Sequence, residues 1–151
     1  MDFNKIYHED CLDTLKRMED NSVDVTITSP PYNLNLRVSK DKYIRRDMGK
    51  SNITTKYGTI QDNEFADSMP IDEYNEFHTK VLRELIRVSS LVFYNIQVVT
   101  GSKRSLWKMI GEFGDDLKDI IIWDKGNAEP AILDGVINRQ SELILVFDKD
   151  Y

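Results

Sequence analysis

The run Val23-Asp24-Val25-Thr26-Ile27-Thr28, stopped at once by Ser29-Pro30-Pro31, narrows the fold of this chain more than any other stretch. β-Branched residues at that density favour a buried strand, and proline, with no N–H to give to a ladder, ends it on a rigid corner. Open α/β sheets place their active sites just outside the carboxyl ends of such strands. One segment therefore predicts both a fold class and a place to look for chemistry.

Elements on either side keep to the same plan. Residues 5–8 read as a short strand, and Asp10 can cap a helix over 11–18 with Leu12, Leu15 and Met18 on one face. Tyr74, Phe77, Val81, Leu85 and Val88 recur at helical spacing behind Pro70 and Asp72, and a strand over 91–96 follows. Leu106, Trp107, Ile110 and Phe113 give a helix over 103–113 closed by Gly114, with strands over 120–123 and 143–147 beyond it. Strands alternating with helices predict one α/β layered domain with a mostly parallel sheet and helices on both faces.

Composition excludes several alternatives. At 151 residues, with 40% hydrophobic and 30% charged residues, the chain suits one folded domain with a core. Its single cysteine, Cys11, forbids an internal disulfide, and no apolar run approaches the roughly 20 residues that cross a bilayer. A soluble protein of the reducing cytoplasm is expected, with no metal site, because His8, His78 and one cysteine make a poor ligand set.

Net charge is −6, which opposes nucleic-acid binding until its distribution is considered. Arg37, Lys40, Lys42, Arg45, Arg46, Lys50 and Lys56 fall in one stretch, against only Asp41 and Asp47. Apolar periodicity lapses over 33–68, so a mobile basic loop is expected there. Taken alone such a run is a solvated surface; directly after the Pro-Pro corner, Arg37, Lys42, Arg45 and Arg46 become candidates to track a DNA backbone.

The corner carries its own chemistry. An exocyclic base amine is a weak nucleophile because its lone pair is delocalised into the ring, and acceptors that favour a pyramidal nitrogen would help it react. The Ser29 hydroxyl and a rigid Pro30 carbonyl can supply them, and Tyr32 can offer an aromatic face to a base swung out of a duplex. A Pro-Pro pair by itself more often marks a turn, so the surrounding residues must decide.

Those residues do. Ile6-Tyr7-His8-Glu9-Asp10-Cys11-Leu12, Asn21-Ser22-Val23-Asp24-Val25 and Thr28-Ser29-Pro30-Pro31-Tyr32-Asn33, in that order, resemble the opening of β-class DNA amino-methyltransferases. The likeness extends to 84–88, 121–126 and 138–142, nearly the whole chain apart from the basic segment. It implies a partial Rossmann-like S-adenosylmethionine-dependent methyltransferase sheet, one truncated catalytic domain over 1–151. Ser29, Pro30, Pro31 and Tyr32 would be its catalytic motif, and Asp10 and Cys11 would touch the adenine of S-adenosylmethionine. Without the resemblance, Asp10 reads equally as a helix cap and Cys11 as a small buried hydrophobe.

The resemblance implies transfer of a methyl group to cytosine N4 or adenine N6 in double-stranded DNA, as in restriction-modification; serine at position 29 tilts towards cytosine. The sequence departs from the family in one respect: no Phe-x-Gly-x-Gly run is present, and Phe113-Gly114 continues into Asp115-Asp116. In the family the later part also supplies two central strands between the first strand and the strand at Val23. A complementing C-terminal chain, a homo-oligomer or a rearranged first strand is therefore expected. A catalytically silent relic that binds DNA or protein is the alternative function, and an acidic protein-binding or DNA-mimicking face is a third.

Overall fold

The computed structural model describes residues 4–33, 37–39, 42–44, 69–99, 102–126 and 140–150. Helix α1 (Cys11–Lys16) is too short to persist unaided, and both of its ends are tied. Asp10 Oδ1 accepts from the Leu12 N–H at 2.8 Å. At the other end Arg87 donates to the carbonyls of Leu15 (2.8 Å) and Met18 (2.9 Å) while pairing with Glu84 and Asp20. These bonds satisfy groups a helix terminus otherwise leaves orphaned.

Strand β1 (Val23–Thr28) runs parallel to β4 (Ser89–Ile96), which α2 (Ile71–Val88) enters with no intervening loop. Helix α3 (Lys103–Glu112) leads to β5 (Leu117–Asp124), and β6 (Ser141–Phe147) returns between β4 and β5. The sheet order is β1-β4-β6-β5. The α/β reading holds, but β6 pairs antiparallel to both neighbours, so the sheet is mixed. Strand direction depends on where the chain re-enters the sheet, which residue patterns do not encode.

The core lies between the helices and one face of the sheet. Val81, Leu82, Leu85 and Val88 of α2 and Leu106 and Met109 of α3 meet Val92, Tyr94 and Ile96 of β4 and Leu145 and Phe147 of β6. All three helices contribute to this one cluster, with Leu15 representing α1. The register explains it: Val92 faces Phe147, Tyr94 faces Leu145 and Ile96 faces Leu143, so alternate residues of both strands share a face.

Three expectations change. Residues 5–8 form no strand, and Ile6 is fully exposed; a strand needs a ladder partner, which local pattern does not specify. β1 is an edge strand, with Ile27 79% and Val25 46% exposed, rather than a buried one. The stretch 33–68 is not all loop, since β2 (Arg37–Ser39) and β3 (Lys42–Ile44) pair antiparallel with Val38 opposite Tyr43. Residues 45–68, Arg45 and Arg46 among them, lie outside the described residues, as do Asn138 and Arg139.

Candidate active site

The carboxyl ends of β1 and β4, the amino end of antiparallel β6 and the residue after β5 converge at one edge of the fold. Thr28 is paired with Tyr94, which places Ser29 beside Asn95. Asn95 is paired with Ile144, which brings Glu142 to the same end, and the Lys125 N–H bonds the Gln140 carbonyl at 3.0 Å. Four elements therefore deliver Ser29, Asn95, Glu142 and Lys125 to one place.

The corner after β1 is held from several sides. The Tyr74 hydroxyl donates to the Pro31 carbonyl at 2.7 Å, which ties the corner to helix α2. Ser102 Oγ reaches the Tyr32 carbonyl at 3.3 Å. Asn33 adopts φ 54°, in the left-handed region asparagine tolerates better than most residues, and its amide donates to the Met69 carbonyl at 2.9 Å.

A cavity of ~640 Å³ opens beside this corner, within the range of roughly 300–1,000 Å³ usual for small-molecule sites. It is lined by Asp10 and Cys11 together with Ser29, Pro30 and Pro31, and by Phe77, Val81 and Tyr94. The residues expected to touch a cofactor and those expected to carry the catalytic motif thus share one cavity. Tyr32 is not among the lining residues and joins them through its hydroxyl, 2.9 Å from Ser29 Oγ. Asp10 caps helix α1 and also lines the cavity, so the capping bond leaves it at the cavity surface. Cys11 is exposed rather than a buried hydrophobe, and burial of its thiol on the cavity side, with the Asp10 charge, pushes its pKa up.

Sequence reasoning missed the polar residues beneath the motif. Glu142 is buried, 7% exposed; its Oε1 accepts from Lys125 Nζ at 2.7 Å and its Oε2 from Asn95 Nδ2 at 2.8 Å and Tyr32 Oη at 3.0 Å. Burial pushes the Glu142 carboxyl up, but hydrogen bonds from Lys125, Asn95 and Tyr32 outweigh it and hold the group below its ordinary range. Burial raises the Tyr32 hydroxyl, reinforced by Glu142 and partly offset by Ser29 and Asn95. The available signal was a glutamate and an asparagine inside otherwise apolar strands, where a charge or amide must find partners.

His78 Nδ1 lies 2.6 Å from the Tyr94 hydroxyl, and burial lowers the His78 pKa to about 4. No group of three or more His, Cys, Asp or Glu suited to a metal ion occurs among the described residues. No helix among them is long and apolar enough to cross a membrane.

Comparison with known proteins places this geometry in a family. The chain is 31% identical over 96 residues to the type II methyltransferase M.BglII of Bacillus subtilis, a match covering 62% of this chain and 19% of that protein. Its fold resembles that of the PvuII DNA methyltransferase, described as cytosine-N4-specific, with a TM-score of 0.58 at 16% identity over 95% of this chain and 48% of that one. It thus spans about half of the solved relative and a fifth of the curated one. The family model for N6/N4 methyltransferases, described as DNA methylase, matches residues 23–151, and the chain belongs to that family.

Proposed function

We propose that this chain is the base-receiving part of a DNA amino-methyltransferase, acting on cytosine N4 or adenine N6 with S-adenosylmethionine as donor. The observation that carries the reading is one cavity lined by Asp10 and Cys11 together with Ser29, Pro30 and Pro31. The volume suits a cofactor-sized ligand, and its walls combine a carboxylate with apolar Phe77 and Val81, a setting that suits a nucleoside. Asp10 and Cys11 would hold the adenine end. When bound, the cofactor supplies an electrophilic methyl group on a sulfonium sulfur.

In this chain, Ser29 Oγ and the Pro30 carbonyl accept hydrogen bonds from the target amine and hold its lone pair out of the ring. With the cofactor bound, the same two acceptors would orient the amine towards the donor's methyl group and take up the proton the amine gives away, passing it to solvent. Tyr32, anchored at its hydroxyl, offers its ring to the extruded base. Arg37 on β2 and Lys42 on β3 sit on a paired ribbon directly after the motif, and with Arg45 and Arg46 they form the basic segment for duplex phosphates. DNA modification is a cytoplasmic activity in bacteria, consistent with a free exposed thiol at Cys11.

The edge position of β1 favours a completing partner: a complementing C-terminal chain or a second copy laid against Val25 and Ile27. Calorimetric titration with S-adenosylmethionine, with and without duplex DNA, tests the reading. Saturable binding that Asp10→Ala weakens is expected, with labelled methyl transfer to DNA falling roughly 100-fold or more in Ser29→Ala/Tyr32→Ala. DNA binding with no cofactor binding would instead establish the silent relic.

A further inference from the structure

We propose that Glu142, with Lys125 and Asn95, is the positioning group that fixes the proton order of the Tyr32 and Ser29 hydroxyls, so that Ser29 presents only lone pairs to the cavity. The inference rests on the base-receiving role of Ser29 argued above.

The hydrogens at this site can be counted donor by donor. A carboxylate only accepts, so each of the three short contacts to Glu142 must bring its own hydrogen. Lys125 takes Oε1, leaving Oε2 for Asn95 and Tyr32. The two amide hydrogens of Asn95 are then spent, one on Glu142 and one on Tyr32 Oη at 2.7 Å. Tyr32 has a single hydroxyl hydrogen, and it goes to Glu142. Its contact with Ser29 at 2.9 Å can therefore be made only with Ser29 as donor. The sole Ser29 hydrogen is thereby committed away from the cavity that Ser29 lines. What remains towards a ligand is the oxygen's acceptor capacity, which an amine N–H requires.

The opposite order is self-defeating. If Ser29 donated into the cavity, either its own hydrogen bond with Tyr32 would be lost or Tyr32 would turn to donate to Ser29 and a buried carboxylate oxygen would lose a hydrogen bond. A neutral hydroxyl pair without Glu142 has no such preference. Lys125 keeps the buried charge paired, which is the condition under which a carboxylate persists there. Glu142 acts through Tyr32 and Ser29 and touches no reacting atom.

Glu142→Gln keeps the shape and adds a donor, so it permits the order to reverse while leaving Lys125 an acceptor. Two readouts are taken on the full chain. In the first, tyrosines carry ¹³C at Cζ, and Tyr32→Phe identifies the Tyr32 resonance. The relay predicts that Glu142→Gln moves this resonance more than that of any other tyrosine and lowers its titration midpoint, while Glu142→Asp moves it less. In the second, methyl transfer from S-adenosylmethionine to duplex DNA shows kcat reduced at least tenfold in Glu142→Gln with KM for DNA within about threefold, and partial recovery in Glu142→Asp. An unmoved Tyr32 resonance in Glu142→Gln overturns the proposal, as does a loss confined to KM. A wild-type chain that transfers no methyl yet shows the Tyr32 shift sinks stand-alone activity and upholds the relay, so the two failures are separable.

Discussion

Strands β1 and β6 have similar sequences, each a short run rich in Val, Ile or Leu, and opposite surroundings. β6 lies between β4 and β5 with Leu145, Val146 and Phe147 buried, whereas β1 has, among the described residues, a neighbour on one side only and leaves Ile27 79% exposed. Yet β1 delivers Ser29, while β6 delivers the buried Glu142 beneath it. The difference teaches that a cavity-lining corner can ride on a poorly protected strand if its polar support is rooted in a well-protected one.

The largest effect separating the two strands should be on stability. Phe147→Ala, which empties a site in the shared core and removes the ring contact with Phe113, is expected to cost about 3–5 kcal/mol in urea unfolding. A cost below about 1 kcal/mol would mean that β6 is no better anchored than β1.

Legibility in the sequence follows the same division. Elements whose patterns are local were readable: β-branched runs located β1, β4, β5 and β6, and helical spacing located α2 and α3. The strand expected over 5–8 failed because its backbone needs a partner that local pattern cannot supply. The β2–β3 ribbon was missed because three residues a side are too few to establish an alternation. At the site, the Ser-Pro-Pro-Tyr corner was legible because proline writes its geometry into the sequence. Glu142 was not, because its partner Tyr32 lies 110 residues away and only the sheet order joins them.

A second effect concerns the helical side of the core. His78 is 1% exposed with its pKa at about 4, so the unfolded chain binds a proton more readily between that value and 6.5. Stability linked to neutral His78 is present above pH 6.5 and is lost as pH falls towards 4, by about 3 kcal/mol in all. Unfolding measured between pH 6.5 and 5 should show this slope in the wild type and little of it in His78→Phe; equal slopes would locate the buried proton site elsewhere.

The smallest effect falls on the edge. Ile27→Lys is expected to change monomer stability by no more than about 0.5 kcal/mol, because the side chain is already in water. Sedimentation should nonetheless show less self-association, since a charge on an open strand blocks edge pairing. A large loss of stability from this change would show that β1 is covered after all.

The bond from Asn33 to the Met69 carbonyl closes the sheet-proximal ends of the basic segment, 36 residues apart in sequence, and the Tyr74 to Pro31 bond reinforces the closure. A stretch clasped at its stem is an interchangeable cassette. Each doubling of a closed loop's length costs only about 0.6 kcal/mol, so the insert can be lengthened, shortened or rewritten without disturbing the corner it springs from.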